Sequence, residues 1–353
     1  MVLNKNIFLK RIFIGLISFS FFVGYFLREN ASGGGLEFYN LSWPIINSFK
    51  KDFLYTINNY GTFNDGSFPL AHIINAYINP FSDNISSFQL SITFCSFVIF
   101  IILAMVLKRS FKNINYEDIL LISSTLLLLP FFRTSAFWGK PENFSWLFCI
   151  LSLYFFVGIK QKISQSPNNK TIFEIILFCF FCSCALYVRQ PFIFLPISYL
   201  LYLFIFQADK KIIIYSIISL FILSIPGLIL VLSWGGLYDT KNVDYFYELI
   251  NIKFILKNVP ILLSFFGFYL FPILIIEFLN KNYNYFFKKY FKAFFSAMIF
   301  FTVLHFFGLI DYLGKYTLGG GVVLKLNYLI KENNYFLLII FSSIGFSILI
   351  NLL

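Results

Sequence analysis

The chain is 353 residues long, 59% apolar and only 12% charged, with a formal net charge of +11 and a mean hydropathy of +0.80. A soluble domain carries about 25% charged residues, and no soluble packing hides this much apolar surface. The composition therefore excludes a soluble fold and predicts an all-α, polytopic membrane protein. The basic excess, which in a soluble chain would suggest nucleic acid, is accounted for by Lys and Arg in loops on one side of the membrane, so no nucleic-acid partner is expected.

Nearly uncharged stretches of about 20 residues match the length a helix needs to cross about 30 Å of hydrocarbon. They predict about ten spans, at 8–27, 86–107, 118–138, 142–159, 172–188, 191–207, 211–233, 259–280, 293–311 and 334–352, in one integral membrane domain covering 1–353. The first has no small-residue cleavage site and reads as a retained anchor. Lys5, Lys10 and Arg11 lie at its start, and Lys108, Arg109, Lys112, Lys160, Lys162, Lys170, Lys210, Lys211, Lys281, Lys288, Lys289 and Lys292 fall in alternate loops. Basic loops resist translocation, so that side and the N-terminus are expected to be cytoplasmic. The host membrane is expected to be a bacterial cytoplasmic membrane, or the ER membrane in a eukaryote.

The other side receives three longer loops, 28–85, 234–258 and 312–333, and most of the carboxylates. In the first, Gly33, Gly34 and Gly35 lead into LEFYNLSWPIINSFKKDFLYTI. There Leu36, Tyr39, Trp43, Ile46, Phe49 and Phe53 are spaced for an apolar helix face, which predicts an interfacial helix broken or kinked at Pro44. After the turn residues Asn64, Asp65 and Gly66, SFPLAHIINAYINPF is apolar but too short to span, and predicts a second interfacial helix.

Four polar clusters mark where this outer side meets water. Glu37 and Asp65 lie in the first loop, as solvated carboxylates or as functional ones. Arg133, Lys140 and Glu142 mark the tight junction between the third and fourth spans, where Arg, Lys and Trp also serve as interfacial anchors. Arg189 and Gln190 follow in YVRQPF; an Arg there offers a fork of donors suited to phosphate, or snorkels to the interface. The fourth is WGGLYDTKN, with Gly235, Gly236, Asp239 and Lys241, otherwise an ordinary turn.

The five cysteines lie inside spans, so Cys179 and Cys182 read as packing residues and no metal is assigned. His72 and His305 show no metal-ligand spacing and read as packed or interfacial. No phosphate-binding loop, zincin motif, nucleophile elbow or dinucleotide fingerprint is present.

In this order, over roughly residues 30 to 275, the clusters resemble the GT-C glycosyltransferases. Within that class they look like the α-1,2-glucosyltransferases that place the terminal glucose on dolichol-linked oligosaccharide. Glu37 matches the Glu of that family's early Asp-Glu pair, with Leu36 standing in place of the Asp. NDGSFPLAHI is similar to a segment with an Asp before Pro-Gly-Leu, which aligns Asp65. WGKPENFS resembles an aromatic junction with Glu142 at the acidic position, and YVRQPFIFLP resembles the Arg-Gln segment through Arg189 and Gln190. WGGLYDTKN resembles the Gly-Gly segment that runs on to Asp-Lys, through Asp239 and Lys241.

The resemblance implies a GT-C-like fold that transfers a sugar from a polyprenyl-phosphate donor to a lipid-linked or cell-surface glycan acceptor, outside the cytoplasm and without cofactor or metal. It implies Glu37 as general base, with Asp65 as the second candidate, and Arg189 on the donor phosphate, assisted by Lys140 or Lys241. Glu142, Gln190, Asp239 and Arg133 would orient substrate. Two other classes stay open: a transporter or flippase of lipid-linked sugars, in which the same charges line a pathway, and an O-antigen-type polymerase or ligase.

Overall fold

Helix is the only regular structure among the described residues, as expected of a backbone that must satisfy its own hydrogen bonds away from water. The computed structural model describes residues 5–30, 34–63, 65, 67–164, 166–234, 259–260, 263–264, 267, 283–306 and 336–352. In chain order the helices are α1 (Lys5–Phe26), α2 (Gly34–Glu37), α3 (Trp43–Lys51), α4 (Phe53–Asn58), α5 (Leu70–Tyr77), α6 (Ile85–Ser110), α7 (Tyr116–Ser124) and α8 (Pro130–Trp138). They continue with α9 (Glu142–Lys160), α10 (Asn169–Val188), α11 (Phe194–Ile205), α12 (Lys210–Ser233), α13 (Tyr283–Phe306) and α14 (Phe336–Leu352).

Among the described residues, α1, α6, α9, α10 and α12 are each long and apolar enough to cross a membrane, and the bent pair formed by Tyr116–Leu128 and Pro130–Trp138 makes a sixth if it counts as one span. Phe13, Leu16 and Phe19 of α1 and Phe221, Ile222, Leu228 and Leu232 of α12 are each more than half exposed. That face suits lipid and would be untenable in water. The predicted spans at 259–280 and 234–258 loop lie largely outside the described residues, and the 312–333 loop lies wholly outside them.

Two predicted spans are interrupted rather than continuous α-helix. The stretch 118–138 is not one straight helix: its halves meet at 68°. Leu129 is extended (φ −69°, ψ 121°) because the ring of Pro130 excludes its neighbour from helical geometry. The stretch 191–207 forms a 3-10 turn, Gln190–Ile193, followed by the 12 residues of α11. Together Gln190–Ile205 rises about 24 Å, short of a hydrocarbon core of about 30 Å.

The described part of the long first loop is largely helical, and much of it is buried against the rest of the first unit. Pro44 does not break its helix. The backbone runs through helical geometry from Glu37 to Trp43, with a π-helical turn at Phe38–Ser42 directly before the proline. The amide of Trp43 reaches the carbonyl of Phe38, which fits a ring that has no N–H and crowds the carbonyl four residues back. The expected apolar face divides: Ile46 and Phe49 are fully buried, while Leu36, Tyr39 and Phe53 are exposed.

The chain divides into two compact units, Met1–Thr240 and Lys241–Leu353. In the first, Phe21, Phe88, Ile92, Leu127, Phe132 and Phe137 form one apolar core, and Ile159, Ile175, Cys179, Cys182, Leu203 and Ile212 form another. The cysteines Cys149, Cys179, Cys182 and Cys184 are free and buried, so Cys179 and Cys182 pack as small apolar residues.

In the second unit α13 and α14 pack together around Leu263, Ala297, Phe301 and Ile339. Gly267 and Gly345 meet closely enough that a Cβ on either would strike the other segment's backbone, the small-residue contact by which membrane helices approach. Ser342 Oγ donates to the Pro260 carbonyl at 2.6 Å.

The charged residues of the first unit gather at two opposite groups of helix ends. One holds Lys10 paired with Asp118, Arg11 with Glu117 at 3.0 Å, and Glu174 with Arg109 at 2.8 Å and Lys162 at 3.6 Å. These are the ends that the basic loops join. The other group holds Glu29, Glu37, Arg133, Lys140, Glu142 and Arg189, which agrees with the alternation of sides read from the sequence.

Candidate functional site

The site is assembled by three chain breaks at that second group of ends. The first is the stop of α8. Gly139 takes a left-handed conformation (φ 65°) and packs its backbone against the Phe88 ring, so a Cβ there would clash. The turn hands the chain to Lys140 and Pro141 and starts α9 at Glu142, whose carboxylate sits in the favourable first turn of a helix. The second break is Arg189, the extended C-cap of α10 (φ −142°, ψ 119°) before the 3-10 turn that carries Pro191. The third is the loop between Phe63 and Leu70, which Phe68 ties to α10 by donating its amide to the Val188 carbonyl at 3.1 Å.

These breaks bring four of the expected residues into one chain of charges. Lys140 Nζ lies 2.7 Å from Glu37 and 3.7 Å from Glu142, and Glu142 Oε1 lies 2.9 Å from Arg189. Cation and carboxylate alternate along it, and all four side chains are between one-sixth and about one-third exposed, Lys140 the least at 16% and Glu37 the most at 35%. Partial burial strengthens such pairs relative to open water, yet each group keeps an edge that a ligand can reach.

Asp65 stands beside this chain in a pocket of its own. Its side chain is 8% exposed; Oδ1 accepts from the Ser67 amide at 3.1 Å and Oδ2 accepts from the Ser67 hydroxyl at 2.7 Å. The Tyr60 hydroxyl is 3.4 Å from Oδ2 and 3.0 Å from Nδ1 of His72, and His72 Nε2 is 3.5 Å from Oδ2. Burial drives the His72 imidazole below its ordinary value of 6.5 against the opposing pull of Asp65 and Glu142, with Arg189 adding to the fall. Burial, then Asp65, push the Tyr60 phenol well above its ordinary 10.0, so it stays a neutral hydroxyl. Trp234 closes the pocket, stacked on Tyr60 and Phe68 and donating to the Ile57 carbonyl at 2.8 Å.

Arg133 does not join the site. Its guanidinium has five N–H donors, and all five are used: two on the Glu29 carboxylate at 2.6 and 2.8 Å, two on the Ser20 hydroxyl and carbonyl, and one on the Leu127 carbonyl. It clamps the end of α1 to α8, and the expectation that it orients substrate is corrected on that ground. Gln190 is half-buried in the 3-10 turn, and its side chain makes no hydrogen bond to a described residue. Asp239 and Lys241 lie outside the described residues.

The sequence reading passed over His72 and Tyr60. The signal available was a single His on a short apolar helix seven residues after Asp65; as expected it is packed, but against polar groups. Compared with protein-family models, curated proteins and solved structures, the chain matches none.

Proposed function

We propose that this protein is a membrane glycosyltransferase of GT-C type. In this reading a multi-pass chain with a cytoplasmic N-terminus moves a sugar from a polyprenyl-phosphate donor to a lipid-linked or surface glycan acceptor outside the cytoplasm. The observation that carries the reading is the alternating chain Glu37, Lys140, Glu142 and Arg189, with Asp65 alongside. Residues from three distant parts of the sequence supply both the cations that a leaving phosphate needs and the carboxylates that an attacking hydroxyl needs.

The chemistry assigned is displacement at the anomeric carbon. The acceptor oxygen forms the new glycosidic bond as the bond to the donor phosphate breaks; Glu37 or Asp65 takes the acceptor's proton, and the bonding electrons leave with the phosphate. Arg189 and Lys140 stabilise the charge that develops there, and Glu142 holds both cations apart until a ligand arrives. Glu37 is the more accessible base; Asp65 is the one without a Lys or Arg partner among the described residues. The donor leaves as a monophosphate that two cations suffice to receive, and no metal is assigned to the step.

The charges of the first unit cluster at helix ends instead of lining a path along the helices, which favours an enzyme over a transporter of lipid-linked sugars. The test is transfer from a panel of radiolabelled polyprenyl-phosphate sugars in proteoliposomes, comparing the parent with Arg189→Ala, Glu37→Gln and Asp65→Asn. Transfer that collapses in Arg189→Ala and in one carboxylate variant supports the reading and names the base. Labelled lipid that crosses the bilayer with no transfer from any donor refutes it.

A further inference from the structure

Three carboxylates, Glu37, Asp65 and Glu142, share two cations, Lys140 and Arg189, in the described part of the site, and both cations already face a carboxylate. With His72 neutral the group carries one net negative charge. An incoming phosphodiester must therefore engage Arg189 and Lys140 inside a negatively charged, poorly solvated group, which opposes binding unless charge is compensated.

The compensating group is already in place. His72 is 1% exposed, and its Nε2 has no hydrogen-bond partner yet is 3.5 Å from Oδ2 of Asp65. An unprotonated nitrogen facing a carboxylate would be repelled, so the neutral ring carries its hydrogen on Nε2 and accepts from Tyr60 at Nδ1, 3.0 Å away. A proton added at Nδ1 would donate to the Tyr60 oxygen instead, and the Tyr60 hydroxyl hydrogen would turn to Oδ2, 3.4 Å away. Both states use the same heavy atoms and differ by one proton and one hydroxyl rotation.

We propose that anion binding at this site is proton-linked through His72: when a phosphodiester engages Arg189 and Lys140, His72 takes one proton from solvent and becomes the cation facing Asp65. The inference rests on the phosphate reading of Arg189 and Lys140 given above. The groups around His72 are Asp65 and Tyr60 from its own loop, Glu142 from α9 and Arg189 at the end of α10; Tyr187 of α10 lies against Phe68. From α3, which packs on α5, come Lys50, held 2.8 Å from Asp83, and the exposed Lys51. No other described neighbour of His72 is a group that stands neutral at pH 7 and positive in mild acid.

Linkage fixes the sign. A ligand that raises proton occupancy binds more tightly as pH falls, by up to about tenfold per pH unit, and the gain levels off once His72 is protonated without ligand. The test uses the full chain in nanodiscs and methyl farnesyl phosphate, a phosphodiester whose single charge does not titrate near neutrality. Affinity is measured by calorimetry from about pH 8.5 to about pH 6, in two buffers of unlike ionisation enthalpy, so that proton uptake is counted directly.

The parent should tighten with acid and take up close to one proton. His72→Gln and His72→Asn should bind without uptake or pH dependence. Asp65→Asn should bind more tightly than the parent at alkaline pH and lose the dependence, because the unneutralised carboxylate is gone; a merely structural role for the pair predicts no such gain. Binding that Arg189→Ala abolishes but that takes up no proton in the parent overturns the inference and leaves the phosphate reading standing. Uptake that persists in both His72 variants also overturns it. Absence of binding at every pH by folded protein overturns both.

Discussion

Replacing Arg133 by Met removes five donors and leaves the apolar length of the side chain in place. The residue is 7% exposed, and its guanidinium makes a fork of two charge-assisted bonds to Glu29 and three bonds to backbone and hydroxyl acceptors. Breaking a fully buried pair by removing one partner costs about 3–5 kcal/mol. Here the Glu29 side chain is 44% exposed and can rehydrate when its partner goes, so the expected cost falls to about 2–3 kcal/mol. At about 2–4 °C per kcal/mol for a unit of this size, that is roughly a 4–12 °C fall in melting temperature. Thermal unfolding in nanodiscs reads it, with Glu29→Gln and the double variant completing a cycle in which the two losses are strongly non-additive. Transfer measured below the melting point should persist. An unchanged melting temperature, or loss of transfer in a fully folded Arg133→Met protein, would refute the assignment of Arg133 as a clamp outside the site.

Gly139→Ala should cost about 1–3 kcal/mol, because its left-handed backbone disfavours a side chain and the fully buried Phe88 ring occupies the space. Its transfer rate should fall as well, since the turn aims Lys140. Gly158→Ala should destabilise by a similar amount by driving a methyl into the Arg109–Glu174 pair, whereas Gly61→Ala, where a Cβ meets nothing, should stay within about 0.5 kcal/mol. His72 has a native value below its unfolded 6.5, so the unfolded chain binds more protons just under that pH. Its contribution to stability is present above pH 6.5 and lost as pH falls toward the native value; denaturant midpoints of His72→Gln should lack that acid loss. With the native cysteines replaced, Asp83→Cys should react with an impermeant maleimide on intact cells and Lys112→Cys only after permeabilisation. The reverse pattern would invert the proposed orientation.

The sequence made the helices legible wherever a long apolar run ended in charge, because length and hydropathy alone decide whether a helix suits lipid. Within the first unit it also sorted the charged helix ends into the two groups that the ion pairs form, since Lys and Arg report the loop and not the packing. Local backbone chemistry was harder to read. The Leu129–Pro130 step was visible but averaged away by a window wide enough to find spans, and the π-helical turn before Pro44 is a compensation that composition does not announce. Arg133 and Arg189 look alike in sequence, each near a helix end beside aromatic residues. Only the partners separate them: Glu29, Ser20 and Leu127 use every donor of Arg133, whereas Arg189 shares Glu142 with Lys140. His72 was hidden for the same reason, because a lone His on an apolar helix acquires its meaning from residues that fold against it.

The concentration of polar chemistry at breaks in helices follows from the solvent on either side of them. A helix interior satisfies its own backbone and can face lipid, but each stop leaves carbonyls or amides that need water, a side chain or a cap. Gly139 ends α8, Pro141 caps the start of α9 and Pro191 follows the end of α10 at one group of ends, so the residues beside them occupy a zone where charge is tolerable and apolar walls are close. Lys140, Glu142 and Arg189 sit next to those three residues, and α2 and the Phe63–Leu70 loop bring Glu37 and Asp65 to the same zone from the first loop. A ligand with an apolar tail and an anionic head meets both requirements of that zone at once. The breaks that limit the length of α8 and α11 as membrane-crossing elements are thus the same features that build the site, and straightening any one of them should cost the site its geometry before it costs the protein its fold.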